Sequence, residues 1–138
     1  MRALCLAFLL MIAPAFAGDV SDADRQAMQH IISDQIDAFR ADDGAKAYGF
    51  ASPTLQMIFP SSDIFMQMVR KAYQPVYRPQ RFKFGSSGPD SAGRPAQHVL
   101  ILGPDGKNYD ALYSFERQAD GTWKISGCTI LEIPGADA

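Results

Sequence analysis

The sequence has few of the residues that build covalent or metal-held frameworks. Its 138 residues include two cysteines, two histidines and one tryptophan. Two cysteines are too few for the disulfide scaffold of a small secreted domain. Neither histidine stands beside another ligand residue at the spacing of a transition-metal site. We therefore expect no metal and no other cofactor.

Catalytic sequence motifs are also missing. The chain has no G-x-S-x-G elbow, no P-loop, no G-x-G-x-x-G and no H-E-x-x-H helix. A serine or cysteine nucleophile needs a paired histidine, and His98 is the candidate for that role. Both neighbouring faces of its strand are apolar, so the pattern does not decide whether His98 faces the core. We predict no catalytic residues and leave enzymatic activity as an open alternative.

A strong charge of either sign is absent. The chain has 15 acidic and 13 basic residues, and 47% of its residues are hydrophobic. This balance excludes a disordered chain, and the net negative charge of the chain argues against nucleic acid as a partner. The length fits one domain, which we predict over residues 18–138.

Long apolar runs are missing except at the start. Arg2 is followed by apolar residues 3–13 and by an A-x-A site at Ala15–Ala17. This pattern predicts a secretory signal peptide over residues 1–17, with export to the periplasm or the medium and no transmembrane anchor after cleavage. Cys128 then has no partner within the chain.

Helical spacing dominates the first half of the predicted domain. Ser21 is placed to cap a helix, an acidic residue before Gly44 to cap a second, and Ser52-Pro53 to start a further turn. A later helix follows Ser62 and ends before Pro75. Apolar residues at helical spacing form a stripe along two of these helices. The stripe of the first helix consists of Met28, Ile31, Ile32, Ile36 and Phe39, and that of the later helix of Ile64, Phe65, Met68, Val69 and Ala72.

Beyond Pro79 the apolar period changes from 3.6 to 2, which predicts strands. In the first of them Phe82 and Phe84 oppose Arg81 and Lys83. A Gly/Ser/Pro-rich loop is expected over residues 85–95, followed by strands at 97–102, 108–118 and 122–133.

One face of the predicted sheet is apolar. Its members on the third strand are Tyr109, Ala111, Tyr113 and Phe115. Gly127 is placed to form a bulge, which would decide whether Cys128 or Thr129 faces inward. The pattern predicts an α+β fold, with N-terminal helices packed on the concave face of a curved antiparallel sheet.

Several segments resemble an exported bacterial family known as domain of unknown function 4864. They are residues 39–48, 51–53, 65–70, 73–79 and 120–128. That family is similar to the nuclear transport factor 2-like (cystatin-like) superfamily, whose cone-shaped α+β domains enclose a pocket. The resemblance implies this fold and no particular activity, because the fold hosts isomerases, dehydratases, binding modules and assembly domains.

Residues 64–89 contain five basic residues and no acid, and aromatic residues lie among them. Arg78 stands between Tyr77 and Pro79, and a guanidinium there can bind a carboxylate or phosphate with two hydrogen bonds. We predict a ligand site near a pocket opening, formed by Tyr48, Tyr73, Tyr77 and Arg78. The alternative is that this band neutralises the acidic first helix.

Three functions remain after these exclusions. The first is a non-catalytic cell-envelope module that binds a small amphiphilic or anionic ligand in the cone pocket. The second is a protein-interaction domain, such as a homodimer, that uses the outer sheet face with Leu112 and Ile130. The third is a lyase or isomerase of the ketosteroid-isomerase type, which needs a carboxylate or His98 near a tyrosine in the cavity.

Overall fold

The structure is a computed structural model that describes residues 20–134. The predicted signal peptide lies outside this range. The five helices of the described part are α1 (Asp22–Arg40), α2 (Gly44–Gly49), α3 (Pro53–Ile58), α4 (Ser62–Ala72) and α5 (Gln74–Tyr77). Its four strands are β1 (Arg81–Pro89), β2 (Pro95–Leu102), β3 (Asn108–Arg117) and β4 (Trp123–Glu132). No helix in residues 20–134 combines the length and the apolar character that a bilayer crossing requires.

Helix α1 begins where the sequence predicts. The Ser21 side chain accepts a hydrogen bond of 3.1 Å from the Asp24 N–H, and Asp22 and Asp24 place negative charge in the first turn. One face of the helix packs on the sheet. Its buried residues are Met28, Ile32, Gln35, Ile36, Ala38 and Phe39.

The four strands form one antiparallel sheet in the order β1-β2-β3-β4. The helices precede it in sequence and cover its concave face, which confirms the predicted α+β fold. Buried residues of the inner sheet face include Val99, Ala111, Tyr113, Phe115 and Ile125. The core therefore lies between α1 and the middle of the sheet.

A bulge in β4 decides which of its residues face the core. Ser114 pairs with Gly127 but Phe115 pairs with Ile125, so Ser126 is the additional residue. After the bulge, Cys128 stands opposite Tyr113 and therefore faces inward. The predicted bulge is confirmed.

The same bulge corrects the outer-face prediction. Ile130 pairs with buried Ala111 and packs against the core, so it does not belong to the outer face. Leu112 pairs with Thr129 and lies on the outer face as expected.

The predicted loop over residues 85–95 is wrong, because β1 continues to Pro89. A bulge between Phe84 and Ser87 lets the strand continue past Gly85. The connection is a short turn that begins at Asp90, whose carboxylate accepts hydrogen bonds from the Ala92 and Arg94 N–H groups, both 2.9 Å. Side-chain hydrogen bonding to backbone therefore orders a segment that its composition marks as irregular.

The apolar face of α4 differs from the predicted stripe. Met66 is buried, whereas Ile64 and Ala72 are exposed. Helix α2 packs on α4 as well as on α1. A Cβ on Gly44 would lie 2.9 Å from Met66 Cγ, so glycine permits this close approach. The contact with α2 therefore buries Met66 and widens the buried face of α4 beyond the predicted stripe.

The segment between α2 and α3 runs beside β4. Ala51 forms an isolated parallel bridge with Ile125. The Ser52 N–H donates to the Ile125 carbonyl oxygen and the Ile125 N–H to that of Phe50, each at 2.8 Å. This contact covers the edge of β4 at Ile125.

Candidate functional site

A cavity of about 250 Å³ lies between the helices and the sheet. The sheet contributes Tyr113 from β3 and Cys128 from the inward-turned part of β4. Its lining residues are Gln35, Phe39, Ala51, Leu55, Phe59, Phe65, Met68, Val69, Tyr73, Val76, Tyr113, Ile125, Gly127, Cys128 and Thr129. The volume is slightly below that of pockets for drug-sized ligands, about 300 to 1,000 Å³.

The wall of the cavity is apolar, with a few neutral polar groups. None of the described residues that line it carries a charge. Gln35 is already engaged, because its Nε2 donates to the Ala47 carbonyl oxygen at 3.1 Å. The remaining polar groups of interest are the Tyr73 and Tyr113 hydroxyls and the Cys128 thiol.

Tyr113 is the polar residue whose hydrogen bonding is incomplete. It is 1% exposed, and its hydroxyl has no hydrogen-bond partner of normal geometry among the described residues. Burial, together with the neighbouring Cys128 thiol, raises the pKa of Tyr113 well above its ordinary value. The hydroxyl therefore stays protonated and remains an unused donor.

The Cys128 thiol is not an activated nucleophile. Burial raises its pKa to about 12, and the Tyr113 hydroxyl offsets this only in part. Since the thiolate is the reactive form of cysteine, this thiol is neutral and unreactive at physiological pH. It contributes a small, weakly polar surface to the cavity.

Two of the four predicted ligand residues lie in or beside the cavity. Tyr73 lines it, and burial, followed by the nearby Cys128 thiol, raises the pKa of Tyr73. Tyr48 packs on the ring of Phe65, with ring centres 5.5 Å apart, and Phe65 lines the cavity. The Tyr48 hydroxyl donates to the Phe59 carbonyl oxygen at 2.5 Å, so it holds the α3–α4 connection.

The other two predicted residues, Tyr77 and Arg78, lie outside the cavity lining at the end of α1. The Tyr77 hydroxyl and Arg78 Nη2 both donate to the carboxylate of Asp42, the latter at 2.9 Å. Arg78 also donates to the Phe39 carbonyl oxygen and stacks 4.0 Å from the centre of the Tyr77 ring. Arg78 thus already has an anionic partner within the chain.

Asp42 occupies the turn that ends α1. Its φ of 51° is left-handed, and the Asp43 N–H donates to the Ala38 carbonyl oxygen at 2.8 Å, as in a Schellman motif. The hydrogen bond from Tyr77, outweighing desolvation, and the positive charge of Arg78 lower the pKa of Asp42. The cluster therefore ties α5 to the end of α1.

Over residues 21–138 the chain matches the family described as Domain of unknown function (DUF4864). The chain belongs to this family. Comparison with curated proteins and with solved structures found no match. The family description assigns no activity, so function must be argued from the cavity and the surfaces of this DUF4864 domain.

His98 of this DUF4864 domain lies on the outer sheet face, away from the cavity. It pairs with Leu112, and its Nδ1 is 2.9 Å from Oδ1 of Asp110 on the neighbouring strand. The alternating pattern could not place this side chain because apolar residues flank it on both faces. Within residues 20–134, no group of three or more His, Cys, Asp or Glu side chains is arranged to hold a metal ion.

Sequence reasoning placed Tyr113 on the inner face but did not identify it as a site residue. Tyrosine on a buried strand face is ordinarily a core residue whose hydroxyl reaches a partner. The missing partner is visible only when β4 and the helices are in position. The bulge that brings Cys128 opposite Tyr113 was the one sequence signal for this part of the cavity.

Proposed function

We propose that this domain is a non-catalytic binding module that holds a small amphiphilic ligand in the cavity between α1, α4 and the sheet. The observation that carries the proposal is an apolar cavity of about 250 Å³ with an unsatisfied buried hydroxyl in its wall. An apolar cavity of about 150 Å³ is enough to bind benzene. By proportion, this cavity has room for about ten non-hydrogen atoms.

The arrangement favours an amphiphilic over an anionic ligand. An anionic ligand was expected from Arg78, which instead contacts Asp42 at 2.9 Å. The described lining residues provide aromatic and aliphatic surface and neutral hydroxyls. Apolar surface with a few oriented polar groups is the usual composition of a small-molecule site.

We further propose that the domain is exported and belongs to the nuclear transport factor 2-like superfamily. The pattern of residues 1–17 supports export, and helices followed by a curved antiparallel sheet around a cavity support the superfamily. Recovery from the cell envelope or the medium of a protein that begins at Gly18 is the expected result. A cytosolic protein that retains residues 1–17 would refute the export proposal.

Filling the cavity is expected to abolish ligand binding without unfolding the protein. Val69 is buried and lines the cavity, so in Val69→Phe the larger ring occupies part of the ligand volume. We expect short-chain alcohols, ketones and alkylbenzenes to raise the melting temperature of the wild type in proportion to the logarithm of their concentration. The variant is expected to show no such rise, and its own melting temperature is expected to be equal or higher because a cavity is filled.

The control is Met57→Phe, which adds a ring at an exposed position of α3 outside the cavity lining. It is expected to respond to the probes as the wild type does. If no probe raises the melting temperature of the wild type, the binding proposal is wrong. If Val69→Phe responds as strongly as the wild type, the ligand binds elsewhere.

Self-association through the outer sheet face is a second candidate. Leu131 is 64% exposed and pairs with Asp110, so it lies on the same face as Leu112. Light scattering at high protein concentration tests this candidate, with Leu131→Lys as the disrupting variant. A monomer at every concentration would contradict it.

A lyase or isomerase has less support from the arrangement. It needs a carboxylate or His98 within reach of a tyrosine in the cavity. The structure places His98 beside Asp110 on the opposite sheet face. That placement favours binding over proton transfer as the role of the cavity.

A further inference from the structure

The polar groups of the cavity wall determine which ligands it can hold. The Tyr113 hydroxyl is buried and protonated, and its one polar neighbour, the weakly polar Cys128 thiol, does not give it a hydrogen bond of normal geometry. A buried polar group without a partner costs free energy, and a ligand atom that accepts its hydrogen bond removes that cost. The wall thus offers a neutral donor to an incoming acceptor.

A charged ligand finds no counterpart in this wall. None of the described lining residues is lysine, arginine or histidine. Transfer of a carboxylate from water into such a cavity carries a desolvation penalty of several kcal/mol, which a neutral hydroxyl does not repay. The cavity therefore disfavours carboxylates even where their size is right.

From these two observations we infer that the cavity selects uncharged molecules of about ten non-hydrogen atoms that carry one carbonyl or ether oxygen. The Tyr113 hydroxyl donates the hydrogen bond that selects them. Since this inference names the ligand class of the cavity, it rests on the proposed binding function.

Access to the Tyr113 hydroxyl involves Cys128. Its thiol lies beside that hydroxyl and lines the same cavity. Since the hydroxyl oxygen is itself buried, the inference requires that the Cys128 side chain rotate about its Cα–Cβ bond and let the ligand oxygen approach. The neutral thiol neither attacks nor repels a carbonyl ligand at physiological pH.

Three aromatic probes of similar size separate the effect of a hydrogen-bond acceptor on binding from the effect of a negative charge. Acetophenone carries a carbonyl acceptor, n-propylbenzene carries none, and benzoate carries a full negative charge. We expect titration calorimetry at neutral pH to show that acetophenone binds the wild type about tenfold more tightly than n-propylbenzene, the factor that one hydrogen bond of about 1.4 kcal/mol provides. Benzoate is expected to bind at least about tenfold more weakly than acetophenone.

Tyr113→Phe is the decisive variant, since it removes the hydroxyl and keeps the ring. It is expected to lose the roughly tenfold preference for acetophenone and to bind n-propylbenzene as the wild type does. Its melting temperature without ligand is expected to be equal to or above that of the wild type, because an unsatisfied hydroxyl has been removed. The control is Tyr109→Phe, which removes a hydroxyl that donates to Asp105 outside the lining, and which should keep the preference.

The possible results distinguish the inference from the binding function. If none of the probes binds the wild type, both are wrong. If acetophenone and n-propylbenzene bind equally, if benzoate binds as tightly as acetophenone, or if Tyr113→Phe keeps the preference, the cavity binds ligands but Tyr113 does not select them. A lower melting temperature of Tyr113→Phe would show that its hydroxyl has a structural partner.

Discussion

The variant Phe115→Ala is expected to lower the free energy of unfolding by about 4 kcal/mol, the typical cost of removing a buried phenylalanine ring. Phe115 is 0% exposed and lies on β3 opposite Ile125. Its removal leaves a void between the sheet and the helices, and packed neighbours fill such a void only in part. Urea denaturation followed by circular dichroism measures this loss.

Phe82→Ala is the matched control for Phe115→Ala. Phe82 faces the same side of the sheet on edge strand β1, but it is only half-buried. Its truncation is expected to cost about 2 kcal/mol, because part of the ring is already in contact with water. Equal losses for the two variants would contradict the central position of Phe115 in the core.

Gln97→Leu is expected to lower the free energy of unfolding by about 3 kcal/mol, although it places an apolar side chain at a buried position. Gln97 is 0% exposed. Its Nε2 donates to the carbonyl oxygens of His98 at 2.8 Å, Gly85 at 3.0 Å and Ser86 at 3.3 Å. The last two carbonyls lie at the bulge in β1, and leucine would remove the hydrogen bond that Gln97 donates to each of them.

Gln29→Leu provides the control for Gln97→Leu. The Gln29 amide donates to Oε1 of Gln97 at 3.2 Å, so this substitution breaks one hydrogen bond and leaves the bulge carbonyls bonded. We expect a loss of about 1 kcal/mol. Both variants are compared by urea denaturation, and a Gln97→Leu protein as stable as the wild type would show that water replaces the amide at the bulge.

Apolar periodicity predicted the fold class because the core is two-layered. Most of the stripe from Met28 to Phe39 lies in the buried face of α1, but Gln35 is buried as well, where α1 meets α2. Helix α4 contacts both the core and α2, and its buried face therefore includes Met66, which the single stripe left out. A pattern with one period predicts one packing partner, and it is incomplete where an element has two.

The candidate site was harder to predict because it depends on backbone irregularities and on distant partners. The bulge at Ser126 reverses the faces of the later β4 residues, so it turns Cys128 and Ile130 inward. Arg78 was expected near a pocket from its neighbours in sequence, but its partner Asp42 lies 36 residues away. The local spacing of residues predicts neither the exchange of inward and outward faces after the bulge nor the contact between Arg78 and Asp42.

The bridge between Ala51 and Ile125 also has a consequence for solubility. An exposed edge strand has unpaired backbone N–H and C=O groups, and it can pair with a strand of another molecule and so start aggregation. In this domain the linker between α2 and α3 occupies backbone groups of β4 that a foreign strand would otherwise use. The short linker therefore disfavours aggregation through β4 at Ile125, where a foreign strand would find the backbone groups already bonded.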